Sequence, residues 1–179
     1  YCYDKECIVT VGGSEAIDLA FRAIINPGDE VILLQPSYVA YTPGVALAGG
    51  KVVNIELKED NEFKLTPELL EAAITPKTKA ILLNYPSNPT GGFMTREDYE
   101  KIVSIIKKHE IIVITDEIYA ELSYEQKFCS IAAFDEIKDQ VILVSGYSKA
   151  YAMTGWRLGY VLANEVLTKA MNKIHQYVI

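Results

Sequence analysis

Lys149 lies in a stretch, Tyr147 to Gly155, that carries no acidic side chain, and Arg157 follows eight residues after it. A poorly solvated amine flanked by a cation, with no carboxylate nearby to keep it charged, suits the role of a neutral nucleophile toward a carbonyl carbon, although solvated lysine is the ordinary alternative. Asp116 directly follows the apolar run Ile111 to Thr115. A carboxylate at the edge of a dry core needs a cationic or N–H partner, because an unpaired buried charge is expensive. Gly12-Gly13-Ser14-Glu15 follows a short β-branched run and opens a helical pattern. Glycines at such a junction let backbone N–H groups approach a phosphate, and the helix N-terminus favours its negative charge. A plain tight turn would explain them equally, and the segment is neither G-x-G-x-x-G nor a P-loop. Tyr38 sits just past another strand pattern, where it could be a packed surface ring. Asn88 belongs to the loop Asn84 to Gly92, whose Asn, Pro and Gly content turn chemistry also explains. Tyr119 closes the group, three residues beyond Asp116.

A single ligand would occupy all of these groups: a flat ring bearing a phosphate, a basic pyridine nitrogen, a phenolic oxygen and an aldehyde. Helix N–H groups at Gly13 and Ser14, with Arg157, would take the phosphate. Asp116 would take the pyridinium, Asn88 and Tyr119 the phenolate, Tyr38 the ring face and Lys149 the aldehyde carbon. That ligand is pyridoxal phosphate. No metal is expected: the three cysteines, Cys2, Cys7 and Cys129, lack metal-ligand spacing and read as buried, reduced thiols.

Seven strands and four helices must position these residues. The strand patterns run Cys7–Val11, Glu30–Leu34, Lys51–Leu57, Lys79–Asn84, Ile111–Thr115, Val141–Ser145 and Leu158–Leu162. Most are continuous apolar runs rather than alternating ones, which means strands covered on both faces. Helices are predicted after Gly13, with Ile17, Ala20, Phe21 and Ile24 inward; after Thr66-Pro67, with Leu69, Leu70, Ala73 and Ile74 inward; and after Thr95, whose spacing to Asp98 resembles a capping box. The last helix carries Leu167, Ala170, Met171, Ile174 and Val178 at helical spacing, and His109 and His175 read as isolated structural residues. The fold class is α/β, a three-layer α-β-α sandwich around a seven-stranded, mostly parallel sheet. In such sheets ligands bind beyond the carboxyl ends of the strands, where the candidate ligand residues fall.

The chain has 179 residues, enough for one domain with a substantial core, and no linker, repeat or charge block divides it. Its 17 basic and 24 acidic side chains leave a net charge of −7. That balance speaks against nucleic-acid or anionic-membrane partners. No apolar run is long enough to span a bilayer, no signal-peptide pattern opens the chain, and the expected setting is cytoplasmic. The chain begins at Tyr1 and stops within the last periodic helix, so it reads as a piece of a longer protein.

Three segments carry a family resemblance: Asn84 to Gly91 (NYPSNPTG), Thr115 to Tyr119 (TDEIY) and Ser148 to Tyr160 (SKAYAMTGWRLGY). They resemble the signatures of class I/II aminotransferases, the fold-type I pyridoxal-phosphate enzymes, in the branch with bacterial and archaeal aspartate and aromatic aminotransferases. The resemblance implies that Lys149 is the Schiff-base lysine, that Arg157, Gly13 and Ser14 bind the phosphate, and that Asp116 pairs with the pyridine nitrogen. It also implies Tyr119 and Asn88 at the ring hydroxyl and Tyr38 stacked on the ring. Many relatives have serine three residues before the lysine as a phosphate ligand; Gly146 stands there in this chain, and Ser148 is the expected substitute. The implied reaction moves an amino group between an amino acid and a 2-oxo acid. Other chemistry on the same scaffold, such as C–S lyase, decarboxylase or cyclopropane-forming lyase reactions, is the alternative. Residues 1–179 would be the cofactor-binding large domain of a homodimeric enzyme, without its N-terminal segment and C-terminal small domain. As an isolated piece it would be inactive, and the stripe Leu167, Met171, Ile174 and Val178 would lack cover.

Overall fold

The computed structural model describes residues 1–178. All seven predicted strands form: β1 (Cys7–Val11), β2 (Glu30–Gln35), β3 (Lys51–Glu56), β4 (Thr78–Asn84), β5 (Ile112–Asp116), β6 (Val141–Gly146) and β7 (Leu158–Leu162). They join one sheet in the order β1-β7-β6-β5-β4-β2-β3. Pairing is parallel from β3 through β6, while β7 runs antiparallel to both of its neighbours. The five helices are α1 (Gly12–Ile24), α2 (Tyr41–Leu47), α3 (Pro67–Ala73), α4 (Arg96–Lys108) and α5 (Glu165–Val178).

The continuous apolar strands have the cover they require. Along β2, Val31 and Leu33 pack into one core with α1, α2 and α5, whereas Ile32 and Leu34 pack into a second core with α3 and α4. The sheet is therefore the middle of three layers. Local signals match as well: the Thr66 side chain caps α3 by accepting from the Leu69 N–H at 3.4 Å. Thr95 and Asp98 form the reciprocal capping box of α4.

Several expectations change. The α5 stripe is not bare: Met171 is fully buried, and Leu167 and Ile174 pack against the same core as α1, leaving Val178 exposed. In α3, Leu70 is buried but Leu69 faces outward. His175 is not isolated either; its Nδ1 lies 2.9 Å from Glu15 Oε1 and ties α5 to the start of α1. The thiols are free but not buried, since Cys2 is exposed and Cys7 and Cys129 are half-buried. No described helix is long and apolar enough to cross a membrane.

The strand directions gather the predicted residues on one edge. The ends of β1, β2, β4, β5 and β6 share it, and the antiparallel β7 begins there, which delivers Arg157. Backbones approach closely at this edge: a Cβ on Gly159 would lie 2.7 Å from Gly13 N and 2.9 Å from Gly12 Cα. Real Cβ atoms do not tolerate such contacts with backbone, so Gly159→Ala is expected to cost about 3 kcal/mol or more. Thermal melting of the full-length protein checks this, and an unchanged midpoint would mean that β7 and α1 can separate freely.

Candidate active site

The edge encloses a pocket of about 260 Å³ into which the loops after β2, β4, β5 and β6 converge with the first turn of α1. Its lining includes every residue singled out from the sequence: Gly13, Ser14, Tyr38, Asn88, Asp116, Tyr119, Ser148, Lys149 and Arg157.

At one end, Gly12 has a positive φ of 74°, and Arg157 is itself left-handed at φ 51°. The Arg157 guanidinium lies over the α1 N-terminus, so that a Cβ on Gly12 would come within 2.9 Å of its Cζ. One Arg157 N–H donates to the Thr154 carbonyl at 3.1 Å. Helix N–H groups and a guanidinium thus face the same space, the donor set of a phosphate site. Ser148 is buried nearby. Gly146 has no room for a side chain, because its Cβ would sit 2.9 Å from both Gly159 Cα and the Leu158 carbonyl oxygen.

At the other end, Asp116 is the last residue of β5 and is only 6% exposed. Its Oδ2 accepts from the Tyr41 hydroxyl at 2.7 Å and its Oδ1 from the Ile118 N–H at 3.1 Å. Burial pushes its pKa upward, and those two donors pull the other way. No cation pairs with it among the described residues. A buried carboxylate so placed suits a positively charged ring nitrogen.

Between the ends, Lys149 Nζ lies 6.0 Å from the centroid of the Tyr119 ring. Burial and the nearby Asp116 push the Tyr119 phenol upward, while the neighbouring Asn88 amide pulls it down. Asn84 supports this side: its Nδ2 donates to the Asp116 carbonyl at 3.0 Å, and its Oδ1 accepts the Asn88 N–H at 2.9 Å. Tyr38 stands edge-on to Tyr41, with ring centroids 5.5 Å apart. Lys149 departs from its expected desolvated setting: together with Ser14, Tyr38 and Arg157 it is exposed, so the site is an open cleft.

Tyr41 escaped the sequence reading, whereas Asn84 and Gly12 were named there without a role of their own. Asn84 and Gly12 belonged to segments already in view, and their offsets from Asn88 and Gly13 were the available signal. Tyr41 had none, since its partner lies 75 residues away. Tyr41→Phe removes a hydroxyl donor from a buried carboxyl and is expected to cost about 1–3 kcal/mol. Melting of the full-length apoprotein near neutral pH reads the effect; no change would show that water replaces the hydroxyl.

Known proteins similar to this chain point to one family. The family described as Aminotransferase class I and II matches residues 2–179. The chain belongs to that family. It is 43% identical over 172 residues to an aspartate aminotransferase of Bacillus subtilis, covering 95% of this chain and 44% of that one. Against an aspartate aminotransferase of Pyrococcus abyssi the identity is 41% over 175 residues, with 97% and 45% covered. The crystal structure of an aromatic aminotransferase from Pyrococcus horikoshii superposes with a TM-score of 0.95 at 39% identity, over 98% of this chain and 47% of that one. The chain spans less than half the length of these relatives.

Proposed function

We propose that the whole protein is a pyridoxal-phosphate-dependent aminotransferase acting on an amino acid and a 2-oxo acid, and that these residues are its cofactor-binding large domain. One observation carries this reading: a buried carboxyl with no ion-pair partner among the described residues, a helix N-terminus beside an arginine, and a lysine line one pocket. Those groups match the pyridine nitrogen, the phosphate and the aldehyde of the cofactor. When bound, the cofactor supplies an electron sink for the pair left on a substrate Cα as its proton departs.

The chain's own residues do the rest. Asp116 would hold positive charge on the pyridine nitrogen, with its carboxyl oriented by the Tyr41 hydroxyl. The N–H groups of Gly13 and Ser14, Arg157 and Ser148 would hold the phosphate. Asn88 and Tyr119 would meet the phenolic oxygen, and Tyr38 the ring face. Lys149 Nζ would anchor the cofactor at its aldehyde carbon and, as a free amine, would carry the Cα proton. An amine on the open side of the pocket can both reach that proton and make way for the substrate.

Relatives named for aspartate and for aromatic amino acids match almost equally, so the substrate class remains at amino acid and 2-oxo acid. A homodimer is proposed with the same reading, from the family resemblance of the sequence. The test is made on the full-length protein. It should develop a visible absorption band with pyridoxal phosphate, lose it on adding an amino acid, and regain it on adding a 2-oxo acid. A protein that binds the cofactor but releases ammonia, sulfide or carbon dioxide instead would overturn transamination in favour of lyase or decarboxylase chemistry.

A further inference from the structure

Glu117 is a buried ionisable residue, 5% exposed, that the chemistry above leaves idle. It follows Asp116, and its side chain points to the opposite face of the sheet. There Oε1 accepts from the Ser130 hydroxyl at 2.7 Å and from the Thr115 hydroxyl at 3.1 Å. Its N–H donates to the Val144 carbonyl at 2.9 Å, which carries β5–β6 pairing past the last strand residue. Its own carbonyl accepts from the Ala120 N–H at 3.0 Å and the Ser145 hydroxyl at 3.4 Å. Glu117 thus ties together the end of β5, the end of β6 and the loop that returns at Ser130. Ser130 in turn accepts from the Ala132 N–H at 3.1 Å, which anchors the far end of the same loop.

A side chain kept here for packing alone would be apolar. The titratable groups around it offer no compensation: Asp116 adjoins it, and burial together with the nearby Glu117 keeps Tyr99 of α4, Tyr1 and Cys129 neutral. None of these is a cation, and Glu117 forms no ion pair among the described residues. Burial accordingly pushes its pKa up to about 7. What a carboxyl offers, and an apolar residue does not, is one oxygen that gathers two hydroxyls from separate parts of the chain.

We propose that Glu117 is a positioning residue: by gripping Ser130 behind the sheet, it fixes the turn that aims Asp116 and Tyr119 into the pocket. The inference rests on the aminotransferase reading. It predicts that the grip, rather than the charge, is what the site needs. Glutamine retains an acceptor oxygen for both hydroxyls, whereas alanine has none and Ser130→Ala removes one donor.

The test uses the full-length protein with Glu117→Ala, Glu117→Gln and Ser130→Ala. Pyridoxal-phosphate affinity is read by absorbance titration, kcat and KM by amino-group transfer, and apoprotein melting as a function of pH. Glu117→Ala and Ser130→Ala should weaken cofactor binding about tenfold and lower kcat by about ten- to a hundredfold, because small misplacements of reacting groups are costly. Glu117→Gln should restore both. The wild-type apoprotein should lose stability as pH rises from 4.5 to about 7, since its folded carboxyl holds the proton more tightly than the unfolded one. Glu117→Gln should flatten that slope, leaving the part that Asp116 contributes.

Wild-type affinity and kcat in Ser130→Ala or Glu117→Ala would overturn the inference, as would a Glu117→Gln variant as impaired as Glu117→Ala. If Glu117→Ala fails to fold, Ser130→Ala and Glu117→Gln decide the matter. A wild-type protein that binds no pyridoxal phosphate would instead sink the functional reading and this inference with it.

Discussion

Lys149→Arg in the full-length protein is expected to abolish amino-group transfer, by about 10⁴-fold or more, while leaving the fold intact. The two halves of this expectation have separate causes. Lys149 is exposed and enters no ion pair among the described residues, so its replacement disturbs no core contact. Exposed substitutions of that kind usually change stability by no more than about 0.5 kcal/mol. Losing a group that both binds the aldehyde carbon and moves a proton removes two contributions at once, and proton transfer alone is commonly worth about 10²–10⁴-fold. Arginine retains the charge but does not give up its proton in proteins, so it cannot act as the nucleophile. Borohydride reduction of the cofactor-loaded wild type, followed by peptide mapping, should find the pyridoxyl group on Lys149. A label on Lys127 or Lys169 would overturn the assignment. Lys169 is a stringent control, since its Nζ is held 2.7 Å from Glu165 on α5 and lies outside the pocket lining.

The sheet was legible because runs such as Val31 to Leu34 and Ile111 to Ile114 leave no polar face, and a strand without one must be covered twice. Strand order and direction followed less directly. Nothing local shows that β7 turns antiparallel, yet that reversal is what brings Arg157 back over Gly12. α2 was missed for an identifiable reason: Pro43 and Gly44 fall inside a seven-residue helix and read as a turn. Tertiary packing overrides them. Tyr41 and Val45 are buried, and a Cβ on Gly44 would come within 3.0 Å of the Phe21 ring, so the glycine lets α2 lie against α1.

The site divides along the same line. Asp116, Lys149 and Arg157 could be picked out because each is a charge in an apolar or small-residue setting next to a strand. Their supports could not, because those depend on folding. Tyr41 meets Asp116 across 75 residues, and Ser130 meets Glu117 across 13. The exposure of Lys149 was also hidden. An acid-free segment says which charges are absent from the sequence, not how much water reaches the side chain.

Asp116→Asn should separate stability from function in opposite directions. Burial raises the Asp116 pKa above its ordinary value of 3.8 despite the Tyr41 and Ile118 donors. A carboxyl of this kind contributes stability that is fully present below its unfolded pKa and is lost as pH rises through its folded pKa. Near pH 7 the apoprotein therefore carries the cost of a buried, cation-free carboxyl. Asparagine removes that cost and still offers an oxygen to the Tyr41 hydroxyl, which lies 2.7 Å away in the native protein. The full-length Asp116→Asn apoprotein should accordingly melt higher than wild type at pH 7, with a flatter dependence on pH. Turnover should move the other way. Without a carboxylate the pyridine nitrogen loses the group that keeps it charged, and a preorganised, buried charge is worth about 3–4 kcal/mol in the barrier, or about 10²–10³-fold in kcat. Paired measurements on the same preparations, melting of the apoprotein and kcat of the loaded enzyme, test both arms. Near-normal turnover would make Asp116 a structural residue. A lower melting point would show that the hydrogen bonds of the charged form outweigh the cost of burying it.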